Sequence, residues 1–118
     1  MNPISIMIVD DEKDLVDTYS EYFSLCGFKT DAAYNGCDAF ITYEAIKPDV
    51  VLMDLNMPKY DGNYAIEKIK EKYGHAKIFV ITGNIDYKFN KNMVNKILYK
   101  PIKLKELKEI IIKESKTK

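Results

Sequence analysis

Five side chains with useful chemistry stand where apolar runs stop. IMIV (6–9) stops at Asp10 and Asp11, VVLM (50–53) at Asp54, IFVI (78–81) at Thr82, and ILY (97–99) at Lys100. Any one of them reads as an ordinary strand end or as a cap for the next helix. Together, on four strands in this order, they read as a site. Carboxylates within about 6 Å repel by roughly 3 kcal/mol per pair at an effective dielectric of 20. A hard divalent cation offsets that repulsion, and Mg²⁺ suits a few carboxylates plus waters. Lys100 adds a second, mobile positive charge. Between those charges Asp54 stays ionised at neutral pH. An ionised carboxylate is a nucleophile, and attack on phosphorus gives an aspartyl phosphate. The cation, the Lys100 ammonium and the Thr82 hydroxyl would share the charge of the incoming phosphoryl oxygens.

Such a site needs strands that end on one rim. The runs ISIMIV (4–9), VVLM (50–53), IFVI (78–81) and ILY (97–99) are rich in β-branched residues and almost unbroken. That is the pattern of strands buried on both faces of a parallel sheet. FKTDAA (28–33) is a weaker strand nearer an edge. Between the runs lie helical patterns. Leu15, Tyr19, Tyr22, Phe23 and Cys26 make one apolar stripe, with Asp11 or Asp14 at its start and Gly27 at its stop. Asn35-Gly36 is a turn, followed by a helix with Phe40, Tyr43 and Ile46 that Pro48 ends. A helix near 63–73 carries Ala65, Ile66 and Ile69, and a last one near 103–115 carries Leu104, Leu107 and Ile111. The segment 85–94 is polar and gives the weakest helical pattern. The alternation predicts one α/β domain: a parallel sheet, helices on both faces, right-handed crossovers. In such open sheets ligands bind outside the carboxyl ends of the strands, where the strand order reverses.

Composition narrows the partners. The chain has 118 residues and zero net charge at pH 7, which disfavours bulk electrostatic capture of nucleic acid or anionic membrane. All its basic residues are lysines, so it has no bidentate guanidinium for phosphate. Cys26, Cys37 and the single His75 are too few and too scattered for a zinc site. Free thiols and a cytoplasmic location are the expectation. No signal peptide or membrane span is evident.

The residues IVDDE (8–12), DLNMPKYDG (54–62), Thr82-Gly83 and Lys100-Pro101 resemble, as a joint pattern, the receiver domain of response regulators in two-component signalling. The resemblance covers about residues 4 to 115. It implies a flavodoxin-like (βα)5 doubly wound sheet of strand order 2-1-3-4-5. It implies that Asp54 is the phosphoacceptor, and that Asp10, Asp11, Asp54 and the backbone carbonyl of Asn56 hold Mg²⁺. Thr82 would turn toward the phosphoryl group, and Lys100 would bond one of its oxygens, with Lys100-Pro101 in cis. Pro58, Asp61 and Gly62 would be structural. The implied function is that of a stand-alone receiver, with no output domain. It would be phosphorylated by a histidine kinase or a histidine phosphotransfer protein and act on a downstream protein target as a monomer or weak homodimer. It would not be a conventional enzyme. A degenerate receiver, a phosphorylation-independent binding module, is the alternative. An aspartate-nucleophile phosphatase is disfavoured because its second acid would fall at Asn56. A flavin or nucleotide binder is disfavoured because no Gly-rich phosphate loop is present.

Two departures from the family pattern stand out. The aromatic residue usual three positions before the lysine is Ile97 here; the aromatic is Tyr99, about 7 Å further along the same strand face. The interval between Thr82 and Lys100 is about four residues short, roughly one helical turn, which predicts a shortened or unwound fourth helix in 85–94. Both fall on the face the family uses for output, so phosphorylation is expected to survive while its readout is altered. The last helix has a broad apolar face, Leu104, Leu107, Ile110, Ile111 and Ile112, one edge of which is a candidate contact surface. His75 reads as a solvated turn residue, and the lysine-rich stretches near 68–72 and 100–108 as solvated helix faces.

Overall fold

The computed structural model describes residues 2–55, 57, 61–83 and 91–115. Five strands, β1 (Ser5–Val9), β2 (Lys29–Ala33), β3 (Val50–Met53), β4 (Ile78–Thr82) and β5 (Lys96–Tyr99), form one sheet of order β2-β1-β3-β4-β5. All four pairings are parallel. This is the expected flavodoxin-like order. Every residue of β3 and β4 is buried, and so is β1 from Ile6 to Val9, which is why these runs carry no polar alternation. The two edge strands, β2 and β5, are only partly buried.

Helices α1 (Lys13–Leu25) and α4 (Leu104–Ser115) cover one face of the sheet; α2 (Gly36–Ile46) and α3 (Gly62–Lys72) cover the other. On the first face Ile6, Ile8, Leu52 and Phe79 pack with Phe23, Leu107 and Ile111, and with Val16, which the predicted α1 stripe left out. On the second face Met7, Val51, Met53 and Val80 meet Ala39, Tyr43, Ala65, Ile66 and Ile69. Ile110 and Ile112 are partly buried and pack against the first core. The broad face of α4 therefore serves the core of its own chain.

Local chemistry sets the helix ends. Asn35 is the N-cap of α2, its side chain accepting from the Asp38 N–H; the predicted turn is thus the cap itself. The α2 stop is Lys47, in the left-handed region at φ 44° just before Pro48. Asp61 caps α3 by accepting from the Tyr64 N–H at 3.0 Å. Gly27 follows α1 with φ +91°, as a helix-stopping glycine should. His75 is exposed in a turn. Of the predicted fourth helix, 85–90 lies outside the described residues. Among the described residues the segment contributes a single 3₁₀ turn, Lys91–Met93, and four α-helices are present in all. Lys100-Pro101 is cis, as the resemblance implied. Cys26 and Cys37 are free.

One close approach locks a helix to a strand end. A Cβ placed on Gly62 would lie 2.3 Å from the Asp54 carbonyl oxygen and 2.8 Å from the Leu55 Cα. The Gly62 N–H also donates to the Leu55 carbonyl at 3.1 Å. Backbone atoms cannot step aside, so the first turn of α3 sits against the Asp54–Leu55 backbone only because residue 62 has no side chain. Gly62→Ala is expected to cost about 1–3 kcal/mol, measured by urea denaturation.

Candidate functional site

The strand order puts the site where it is. β1 lies between β2 and β3, so connections leave it in opposite directions and a crevice opens past the carboxyl ends of β1 and β3. Asp10 follows β1, and its N–H donates to the Ala33 carbonyl at 3.2 Å. Asp54 follows β3, and its N–H donates to the Val9 carbonyl at 2.9 Å. These two bonds continue the sheet ladder one residue past the strands and fix both Cα positions. On the far side, the Lys100 N–H donates to the Thr82 carbonyl at 2.9 Å, continuing β4–β5 in the same way.

The side chains converge as the spacing required. Asp10, Asp11 and Asp54 each offer a carboxylate oxygen, and these oxygens lie within 4.8 Å of one another. Asp10 and Asp54 are buried, at 3% and 8% exposure, while Asp11 is open to solvent. The Lys100 ammonium donates to Asp10 Oδ2 at 3.2 Å and stands 3.8 Å from Asp54 Oδ1. The other Asp10 oxygen, Oδ1, accepts from the Glu12 N–H at 3.0 Å, so the carboxylate also directs the turn into α1. Thr82 is buried at the end of β4. Asn56 and Pro58 lie outside the described residues.

Charge accounts for what the cluster can hold. At an effective dielectric of 20 each pair of carboxylates 4.8 Å apart repels by about 3.5 kcal/mol, while Lys100 attracts Asp10 and Asp54 by about 5 and 4 kcal/mol. The attractions roughly balance the repulsions, and the formal charge left over is two negatives. A divalent cation with oxygen ligands fits that remainder in both charge and donor type. Burial of Lys100 works against its charge, but Asp54 and then Asp10 outweigh burial and hold its pKa above the ordinary lysine value.

The strand register refines the departure noted in the sequence. Tyr99 pairs with Thr82, and Ile97 with Val80. The aromatic residue is thus the cross-strand neighbour of Thr82, with its side chain half exposed. One residue of the site was missed. Tyr19, assigned by its spacing to the core stripe of α1, also lines the small cavity beneath Asp10, Asp54 and Lys100. Helical periodicity gives no sign of this, because the stripe that reaches the core passes under the rim on the way.

The profile of the response regulator receiver domain family matches residues 6–112. The chain belongs to this family, the receiver domains of two-component signalling, which signal through phosphorylation. It is 32% identical to the regulatory protein AtoC of Escherichia coli, over 90% of this chain and 27% of that protein. It is 35% identical to the chemotaxis protein CheY of Treponema pallidum, over 69% of this chain and 58% of that one. The chain thus spans between about a quarter and somewhat over half the length of these curated relatives. Among solved structures, the response regulator TrrA of Thermotoga maritima in complex with Mg²⁺-BeF has a TM-score of 0.84 at 28% identity, covering 93% of this chain and 97% of TrrA. TrrA in complex with the histidine kinase ThkA superposes as well, at 26% identity, over 97% of this chain and 99% of the other. A CheY-like receiver of Methanospirillum hungatei gives a TM-score of 0.90 at 21% identity, over 96% and 94% of the two chains, and speaks for the fold alone.

Two outcomes follow from the charge arrangement. Mg²⁺ at about 100 times its Kd should stabilise the protein by about 2.7 kcal/mol, and Asp11→Asn should lose most of that gain while being no less stable without metal, since it relieves like-charge repulsion; thermal melts with and without Mg²⁺ read both. The second concerns pH. A lysine whose folded pKa is raised stabilises fully below its unfolded value of about 10.4 and loses that contribution as pH rises through the folded value. In metal-free buffer, the stability advantage of the wild type over Lys100→Met should therefore shrink above about pH 10.5.

Proposed function

We propose that the chain is a phosphorylation-competent receiver in which Asp54 accepts a phosphoryl group from the phosphohistidine of a histidine kinase or phosphotransfer protein. The observation that carries this reading is the convergence of three strand-end carboxylates with the Lys100 ammonium at the switch point of the sheet. An Asp54 oxygen attacks phosphorus, the P–N bond to the donor imidazole breaks, and the imidazole nitrogen keeps the electron pair. Hydrolysis reverses the state: water attacks phosphorus, the Asp54–phosphoryl bond breaks, and the carboxylate is restored.

The chain's own groups divide the work. Asp10, Asp11 and Asp54 would hold Mg²⁺, together with the Asn56 carbonyl, and the ion would supply charge neutralisation at the phosphoryl oxygens. Lys100 moves from Asp10 toward a phosphoryl oxygen, trading one charge-assisted hydrogen bond for another. Thr82 donates its hydroxyl to a second oxygen. The chemistry is confined to the protein's own phosphorylation and dephosphorylation, so we do not read it as a conventional enzyme.

Output is proposed to be contact with a downstream protein, in the cytoplasm, by a receiver unit of about residues 4–115 acting as a monomer or weak homodimer. The zero net charge gives no support for nucleic acid as the partner, and among the described residues no helix is long and apolar enough to cross a membrane. A second reading, phosphorylation with an altered readout, is favoured by the register of β5. Tyr99 is the cross-strand neighbour of Thr82, and position 97, where the family pattern has its aromatic, holds isoleucine, so a signal passing from Thr82 to the output face would run over a different path.

Incubation with Mg²⁺ and a small phosphodonor tests the assignment. The wild type should gain the mass of one phosphoryl group, mapped to Asp54, and Asp54→Asn should not. No gain, or a gain mapped elsewhere, would contradict it.

A further inference from the structure

The edge strand β2 has a regular backbone with one side unused. It pairs with β1 alone, in continuous register from Lys29 to Ala33. The Lys29 N–H donates to the Ile4 carbonyl at 2.8 Å, and the Ala33 carbonyl accepts from the Asp10 N–H at 3.2 Å. Residues that bond one neighbouring strand alternate along a ladder. Lys29, Asp31 and Ala33 therefore bond toward β1, and the N–H and C=O groups of Thr30 and Ala32 face outward, as does the Phe28 carbonyl. No strand lies beyond them among the described residues. Such a row of backbone groups is a template for a further strand, and proteins commonly blunt it with proline or a bulge. The β2 sequence, KTDAA, has neither.

The charges on this strand complement themselves. Lys29 and Asp31 share one face of β2. Lys29 is exposed and Asp31 half-buried, and neither makes an ion pair among the described residues. A second copy of β2 can lie antiparallel to the first, outward groups meeting outward groups. With Thr30 opposite its counterpart, Lys29 faces Asp31 twice, in the non-hydrogen-bonded pairs where side chains come closest. With Thr30 opposite Ala32, Asp31 faces Asp31; with Thr30 opposite Phe28, Lys29 faces Lys29. Charge selects the first register. It forms four backbone hydrogen bonds: each Thr30 N–H donates to the other Thr30 carbonyl, and each Ala32 N–H to the other Phe28 carbonyl. The Phe28 N–H takes no part, since it donates to the Phe23 carbonyl at 2.9 Å. The helix above leaves room. α1 runs from Lys13, over the Tyr34 ring, to Ser24, whose Oγ is 3.2 Å from Thr30 Oγ1. Two copies of α1 would meet only at these small last-turn residues and lead away in opposite directions. The other edge offers no such match, because the one charged residue of β5, Lys96, is paired with Glu114.

We propose that the β2 edge is a self-association site, at which two copies of this chain join antiparallel about a two-fold axis at Thr30 to make one continuous sheet. The seam lies at the opposite edge of the sheet from β5. Both copies therefore keep the β5 rim open, and the pair presents two receivers at once to a target. The seam is short, which makes the pair weak and concentration-dependent. The proposal does not rest on Asp54: a chain that takes up no phosphate would still pair.

Sedimentation velocity of the full chain, from about 10 μM to about 1 mM, reads the assembly. The wild type should pass from monomer toward dimer across this range. Lys29→Glu and Asp31→Lys should each weaken the dimer about 10-fold, because each turns two attractive cross-strand pairs into two repulsive ones. An equimolar mixture of the two variants should dimerise again, since every cross-strand pair in the mixed dimer is of opposite charge. Amide exchange reads the backbone independently of any substitution. Thr30 and Ala32 of the wild type should exchange more slowly as concentration rises, while Lys29 and Asp31, bonded to β1 in either state, should not change. A monomer at every concentration would overturn the proposal. So would a dimer indifferent to both variants, or weakened variants that the mixture fails to restore. Labelling at Asp54 is measured separately by mass, so its failure and the failure of this proposal are distinct results.

Discussion

Lys100 reaching across the end of the sheet to Asp10 and Asp54 is the contact on which the rest turns. Two carboxylates buried side by side are costly, since each loses water and each repels the other. The ammonium makes the pair tolerable without making it inert. It donates to Asp10 at 3.2 Å but stands 3.8 Å from Asp54, so one acid is firmly engaged and the other is less tightly held by it. That asymmetry suits a site in which Asp10 holds position and Asp54 reacts. With Asp11 included, the three carboxylates and the Lys100 ammonium sum to two formal negatives, a charge that invites a divalent ion.

The scaffold delivers this contact through backbone rather than side-chain packing. Asp10 and Asp54 each bond the strand beside them one residue past the sheet, and the Lys100 N–H bonds Thr82 likewise. The residues of the site are far apart in sequence; Asp10 and Asp54 directly follow strands buried on both faces, while Lys100 follows the partly buried edge strand β5. The α3 side adds a second constraint, where Gly62 lets a helix start against the Asp54 carbonyl. Asp61 caps that helix at the same place. The start of α3 is therefore fixed against the Asp54–Leu55 backbone by a cap and a close approach.

Much of this was legible in one dimension, for a physical reason. A doubly covered parallel strand must be apolar along its length, so the first polar residue at its end marks the rim, as Asp10, Asp54 and Thr82 do; Lys100 ends the apolar run of an edge strand that is only partly buried. Strand order is not a local property; it came from the family resemblance. Where a residue's role depends on a neighbour distant in sequence, the pattern was silent or misleading. Tyr19 fits the α1 stripe so well that periodicity assigned it wholly to the core. Val16 was passed over because it flanks the stripe, yet it is fully buried. Gly62 read simply as a loop residue, because the backbone it touches is eight residues away. The breadth of the α4 face suggested a partner, but Ile110 and Ile112 lean on the core instead. The 85–94 segment is polar and short, and its periodic signal was the weakest of the chain.

We propose that the pairing of Tyr99 with Thr82 separates two properties that the family pattern joins, taking phosphate and reporting it, with the acid cluster concerned with the first and the β5 rim with the second. The central claim concerns the first, and a crystal structure grown with Mg²⁺ and beryllofluoride tests it most directly. The account predicts a cation held by Asp10, Asp11 and Asp54, beryllofluoride on an Asp54 oxygen, and the Lys100 ammonium shifted from Asp10 to a fluoride. Lys100 still on Asp10, with neither cation nor beryllofluoride at the three carboxylates, would contradict it.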